Sequence, residues 1–126
     1  MRGISLFARL SVVLVATCTS WLLTLGVAQA QCAWCDEISN ALIFYQETYP
    51  NSNFEPYHDT LIVVRNALGR DDSRTVRSEM TKFFTMLRKR EHAINDVAAD
   101  ELVNFAAMVT PIQEYGISVP QPMTGP

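Results

Sequence analysis

The residues in this chain best suited to chemistry are two thiols, Cys32 and Cys35, set three apart in the run Cys32-Ala33-Trp34-Cys35. Cys-x-x-Cys is the spacing of thiol–disulfide exchange centres, and a thiolate at a helix N-terminus is stabilised by the helix dipole. On that reading Cys32 is the nucleophile and Cys35 the resolving thiol. Two features oppose it. Redox motifs of this kind follow a strand in a mixed α/β fold, and no strand-like segment precedes this pair. Asp36 and Glu37 directly follow Cys35 and disfavour thiolate formation. The simpler expectation is a structural disulfide between Cys32 and Cys35. Closing so short a loop stabilises the fold by about 2 kcal/mol, against ~4.7 for a 100-residue loop. An intermolecular bridge or metal ligation would be other uses of the two thiols. Haem attachment would need His directly after the second Cys, where this chain has Asp36. A zinc site would need His58 and His92, which lie on different predicted helices rather than three to five residues apart. No cofactor, metal site or catalytic residue is therefore expected.

What precedes the pair sets its environment. Arg2 and Arg9 form a positive n-region, Leu10 to Ala28 carries no charge, and Ala28-Gln29-Ala30 supplies the small residues that signal peptidase reads. Residues 1–30 are expected to be a cleaved signal peptide. A retained anchor is the alternative, because the uncharged run approaches the ~20 residues that span a bilayer. Five hydroxyl residues dilute that run, and the A-x-A ending favours cleavage. Export to the periplasm or the extracellular space follows, where thiols tend to oxidise. Cleavage removes Arg2 and Arg9 and Cys18. The remainder holds two cysteines, 13 acidic and 8 basic residues, and a net charge of −5 (8 − 13). So acidic a chain lacks the basic footprint of a nucleic-acid binder and has no charge-based attraction to anionic lipid. Membrane contact is expected only if the N-terminal segment is retained.

The elements after the signal read as helices. Ile38, Leu42, Tyr45 and Tyr49 recur at helical steps over about Cys35–Thr48, before Pro50 breaks the pattern. Asn53 can cap a second helix carrying Phe54, Tyr57, Leu61, Val64 and Leu68, with Gly69 as its stop. Ile62, Val63 and Ala67 widen its apolar face, which suggests a central helix. A third helix opens at Asp72 or Ser73, places Val76, Met80, Phe83, Phe84 and Leu87 on one arc, and ends near Arg90. The fourth follows Asn95-Asp96 with Val97, Leu102, Phe105, Ala106 and Val109, until Pro111 kinks or ends it. The expected fold is all-α: a small up-and-down bundle of about four helices over residues 31–115, then a flexible Pro-rich tail over 116–126.

Trp34, Tyr49, Phe54 and Tyr57 gather near the first inter-helix loop and form a candidate interaction surface, although their helical spacing equally suits a core. Arg88-Lys89-Arg90 complements a helix C-terminus, Asp71-Asp72 reads as turn and cap, and Asp100-Glu101 as a solvated early turn.

The opening Cys32-Ala33-Trp34-Cys35-Asp36-Glu37-Ile38, on an amphipathic helix, is similar to the start of saposin-like domains over about ten residues. That resemblance implies an exported helical fold that binds lipids. The later cysteines that pair with the first two in that family are missing, so no family residue is carried over. The function expected first is a non-catalytic accessory subunit that binds a protein partner within a larger envelope or secreted assembly. Thiol–disulfide exchange by Cys32 and Cys35 is the second reading, and binding of a lipid or small apolar ligand the third.

Overall fold

The computed structural model describes residues 32–122. The expected signal peptide and the last four tail residues lie outside the described residues. Within them the fold is all-helical, without a strand. Its elements are α1 (Ala33–Thr48), α2 (Glu55–Gly69), α3 (Ser73–Arg88), a single turn at Glu91–Ala93, α4 (Asp96–Val109) and the short α5 (Ile112–Tyr115). The four long helices pack in a ring of neighbours: α1 on α2, α2 on α3, α3 on α4, and α4 back on α1.

Local chemistry explains the boundaries. The Cys32 sulfur caps α1 by accepting the Cys35 N–H at 3.1 Å, and Pro50 blocks continuation beyond the Tyr49 N–H to Tyr45 carbonyl bond of 2.8 Å. Asn53 stands one residue before the α2 cap position, Phe54, and its side chain accepts the Glu55 N–H at 3.2 Å; Pro56 occupies the first turn, where a missing N–H costs nothing. Asp72 caps α3 through Thr75, whose N–H and hydroxyl both donate to its carboxylate. Those two bonds hold the Asp72 carboxyl below its usual range. Asn95 caps α4 by accepting from Val97 and Ala98.

α2 stops at Gly69 as expected, but its closure does not use that glycine. Gly69 is the last helical residue, and the left-handed conformation falls on Asp71 (φ 54°). The Asp72 N–H reaches back to the Ala67 carbonyl at 2.9 Å and the Asp71 N–H to that of Leu68 at 3.2 Å. This is a Schellman closure with a non-glycine at its left-handed position. Gly116 makes the same closure after α5 with the residue type that suits it.

The core contains Ile38 and Leu42 of α1; Tyr57, Leu61, Val64 and Ala67 of α2; Val76, Met80, Phe83, Phe84, Met86 and Leu87 of α3; and Ala98, Ala99, Leu102, Val103 and Ala106 of α4. Three expectations change here. Although α2 does have neighbours on two sides, Ile62 and Val63 are exposed: four successive apolar residues, 61 to 64, sweep most of the circumference, and only Leu61 and Val64 point inward. Val97 is exposed as well, because Ala98 and Ala99 take the inward positions at the start of α4. The segment from Gly116 is extended, yet not free as far as Pro120. Ile117 is buried, the Ser118 N–H donates to the Thr81 hydroxyl at 3.2 Å, and the Arg88 Nε donates to the Pro120 carbonyl at 2.9 Å. Two apolar side chains, buried Ile117 and half-buried Val119 against the core, help hold an otherwise turn-rich stretch.

Candidate functional site

Cys32 and Cys35 form a disulfide, with Cα atoms 5.3 Å apart. It anchors the first turn of α1. Cys35 is fully buried and Cys32 nearly so, both within the core cluster. Thiol–disulfide exchange requires an incoming thiolate to reach a sulfur, so this burial argues against a redox role.

The predicted aromatic cluster divides. Phe54 and Tyr57 are buried in the core, whereas Trp34 and Tyr49 are half-buried against it. The candidate surface of Trp34, Tyr49, Phe54 and Tyr57 therefore does not exist as one patch. The reason lies in the Tyr57 hydroxyl. It sits 2.7 Å from the Glu91 carbonyl and 3.2 Å from that of Met86, so the ring can go fully inside with its polar end satisfied. Burial, with some help from the Glu91 charge, pushes the Tyr57 hydroxyl well above its ordinary pKa. Its ring meets Phe83 and His92 edge to face.

Around this anchor the two loops at one end of the bundle interlock. Asn53 donates to the His92 carbonyl at 3.3 Å, and Asn95 donates to the Ser52 hydroxyl at 2.9 Å. Arg90, His92 and Ala93 all have positive φ, each a conformation that a non-glycine residue adopts at a cost of order 1 kcal/mol. Arg90 is fixed further by Asp96 at 3.0 Å and by both oxygens of Asp100 at 3.0 and 3.1 Å. The Arg88-Lys89-Arg90 cluster is thus split: Arg88 holds Pro120, and Arg90 holds the start of α4. Asp100 and Glu101 are correspondingly not merely solvated. Glu101 accepts the Tyr45 hydroxyl across the α1–α4 contact. Desolvation first, and then this carboxylate, push the Tyr45 hydroxyl up to about 12. Burial lowers the His58 imidazole against an opposing pull from Asp59.

The surface that sequence reasoning missed lies on the outer side of α1. Ile43 is 49% and Phe44 59% exposed, and Ile62 of α2 is 55% exposed. Arg65 relates the two helices: its guanidinium pairs with Asp36 at 2.5 Å and lies 3.4 Å from the Ser39 hydroxyl. The start of α1 therefore runs beside the end of α2. One turn onward from Ser39 on α1 is Ile43, and about one turn back from Arg65 on α2 is Ile62. On α1 the same outward face carries Asp36, Glu37 and Asn40 before the apolar pair and Glu47 after it. The available signal was Ile43-Phe44 lying outside the 38–42–45–49 stripe that defines the buried face.

Charge is segregated around this strip. The α1 and α4 helices hold six carboxylates (Asp36, Glu37, Glu47, Asp96, Asp100, Glu101) and no Lys or Arg, whereas α3 holds Arg74, Arg77, Lys82 and Arg88 against Glu79 alone. Among the described residues no helix is long and apolar enough to cross a membrane, and no three His, Cys, Asp or Glu side chains gather as a metal site. Compared with protein-family models, curated proteins and solved structures, the chain shows no significant match.

Proposed function

We propose that the chain is an exported, non-catalytic helical subunit that works by binding another protein in an envelope or secreted assembly. The observation that carries this reading is the strip of Ile43, Phe44 and Ile62, left in solvent on a helix whose first turn is stapled by a disulfide. Scattered single apolar residues need no explanation, but two successive ones on α1 with a third on the helix packed beside it support a contact surface. Preorganisation adds to the argument, since a rigid helix face loses little entropy on docking. Export is supported by the n-region, the uncharged run and the Ala28-Gln29-Ala30 ending. The oxidised pair at Cys32 and Cys35 fits an oxidising compartment.

The test has two readouts on protein recovered from a cell expressing the full chain. Intact mass is expected to match residues 31–126 less two hydrogens, and size-exclusion with light scattering of the exported fraction is expected to show a defined hetero-complex. A full-length mass would refute export, and a lone monomer in its own compartment would refute the interaction reading.

A further inference from the structure

The interaction reading leaves the partner open, and the charge around the exposed strip narrows it. We propose that the outer face of α1, extended by Ile62 of α2, docks an amphipathic helix of another protein, one carrying cations on both sides of an apolar stripe. This inference rests on the proposed function and names the partner's chemistry. Asp36, Glu37, Asn40, Ile43, Phe44 and Glu47 are all turned away from the buried stripe of Cys35, Ile38 and Leu42. Along the helix they read acid, apolar, acid over about 16 Å at 1.5 Å per residue. Packed helices present a shallow groove between their ridges, and exposed Ile43 on α1 and Ile62 on its neighbour α2 offer apolar surface to a helix laid along it. A third helix with leucine-type residues in the groove and Lys or Arg toward Glu37 and Glu47 would satisfy both features. Neither Glu37 nor Glu47 has a cationic partner among the described ion pairs, whereas Asp36 is held by Arg65.

The other occupants fit less well on the same grounds. A second copy joined through the same face would set the carboxylates of α1 against their own kind, which like-charge repulsion disfavours. A second copy presenting its basic α3 would bring no exposed large apolar side chain to meet Phe44, and part of α3 is already covered by Ile117–Pro120. An anionic bilayer would be repelled by Glu37 and Glu47, which flank the apolar pair without a cationic partner among the described ion pairs.

The test uses protein processed from the full chain and a fluorescein-labelled leucine–lysine amphipathic peptide, roughly 18 residues long so that it can hold a helix. Anisotropy is expected to show saturable binding that weakens with salt. The double substitution Ile43→Ser with Phe44→Ser should weaken it by about tenfold or more, the loss of one to two buried apolar side chains. Ile62→Ser should weaken it several-fold from the neighbouring helix, and Glu37→Gln with Glu47→Gln should flatten the salt dependence. A leucine–glutamate peptide should not bind. All these positions are exposed, and unchanged far-ultraviolet circular dichroism would verify that each variant folds. The proposal is overturned if the leucine–lysine peptide does not bind, or if the serine variants bind it as well as the parent, which would mean charge attraction alone. It is equally overturned if sedimentation shows a homodimer that Phe44→Ser dissolves, or if phosphatidylglycerol vesicles bind in a Phe44-dependent way. A hetero-complex that survives Ile43→Ser with Phe44→Ser would refute this docking face and leave the interaction reading standing.

Discussion

Tyr57 and Phe44 are both aromatic residues on the first two helices, and they are used in opposite ways. Tyr57 is fully buried, its hydroxyl held by the Met86 carbonyl of α3 and the Glu91 carbonyl, and its ring edge-on to Phe83 and His92. Phe44 is mostly in solvent, touching only the edge of Tyr45 among its aromatic neighbours, with carboxylates to either side along the helix. The end of the bundle around Tyr57 is closed and internally satisfied, so its residues account for themselves through stability. The outer face of α1 gains little stability from what it exposes. The exposed Phe44 is where the proposed docking role and the stability role separate.

The sharpest way to break the contrast is to truncate its two poles. Tyr57→Ala should cost about 3–5 kcal/mol, a large share of the stability of a domain this size, and should lower the melting temperature by tens of degrees or abolish folding. Tyr57→Phe keeps the ring and should cost about 1–2 kcal/mol, because the one buried hydroxyl proton that faces the Glu91 and Met86 carbonyls is lost. Next in size is the staple. Replacing both Cys32 and Cys35 by Ser should cost about 2 kcal/mol in urea titration, with the bundle still formed, because the closed loop is short. If reduction instead exposed a nucleophilic thiolate at neutral pH, the structural reading of the pair would fail.

The third effect is one of pH. The Tyr45 hydroxyl is pushed up from 10.0 to about 12, so its contribution is complete below the unfolded value and is lost as pH rises toward the folded one. Urea midpoints measured between about pH 9 and 12 should therefore fall more steeply for the parent than for Tyr45→Phe. Equal slopes would show that the Tyr45–Glu101 bond does not couple α1 to α4. The smallest expected change completes the comparison. Phe44→Ser should alter stability by no more than about 0.5 kcal/mol, as at most surface positions.

Much of the architecture could be read from residue types. The apolar stripes of α1 and α3, the caps at Asp72 and Asn95, Pro56 in a first turn and the Cys32–Cys35 disulfide each follow from local rules, and the structure shows all of them. The candidate surface was harder to read. Tyr57 could not be placed without its acceptors, the Met86 and Glu91 carbonyls, which lie 29 and 34 residues away. Ile62 looked like core because four apolar residues in a row leave the inward direction undefined, and only the packing of α1 and α3 against α2 resolves it. The left-handed residue after α2 was not legible for a similar reason. Glycine is the usual occupant, yet Asp71 takes the position because Asp72 must cap α3 immediately afterward. Nor did composition show that the chain from Ile117 to Pro120 is held, since its fastening at Thr81 and Arg88 is long-range.

On the proposed reading the α1 face serves recognition while the Tyr57 end serves stability. Amide and methyl chemical-shift mapping of the leucine–lysine peptide on isotopically labelled protein tests it most directly. Saturable shifts are expected at Ile43, Phe44, Ile62, Glu37 and Glu47, with the loop residues Ser52, Glu91 and His92 unchanged. Shifts centred instead on those loops, or spread over every acidic residue without an apolar focus, would contradict it.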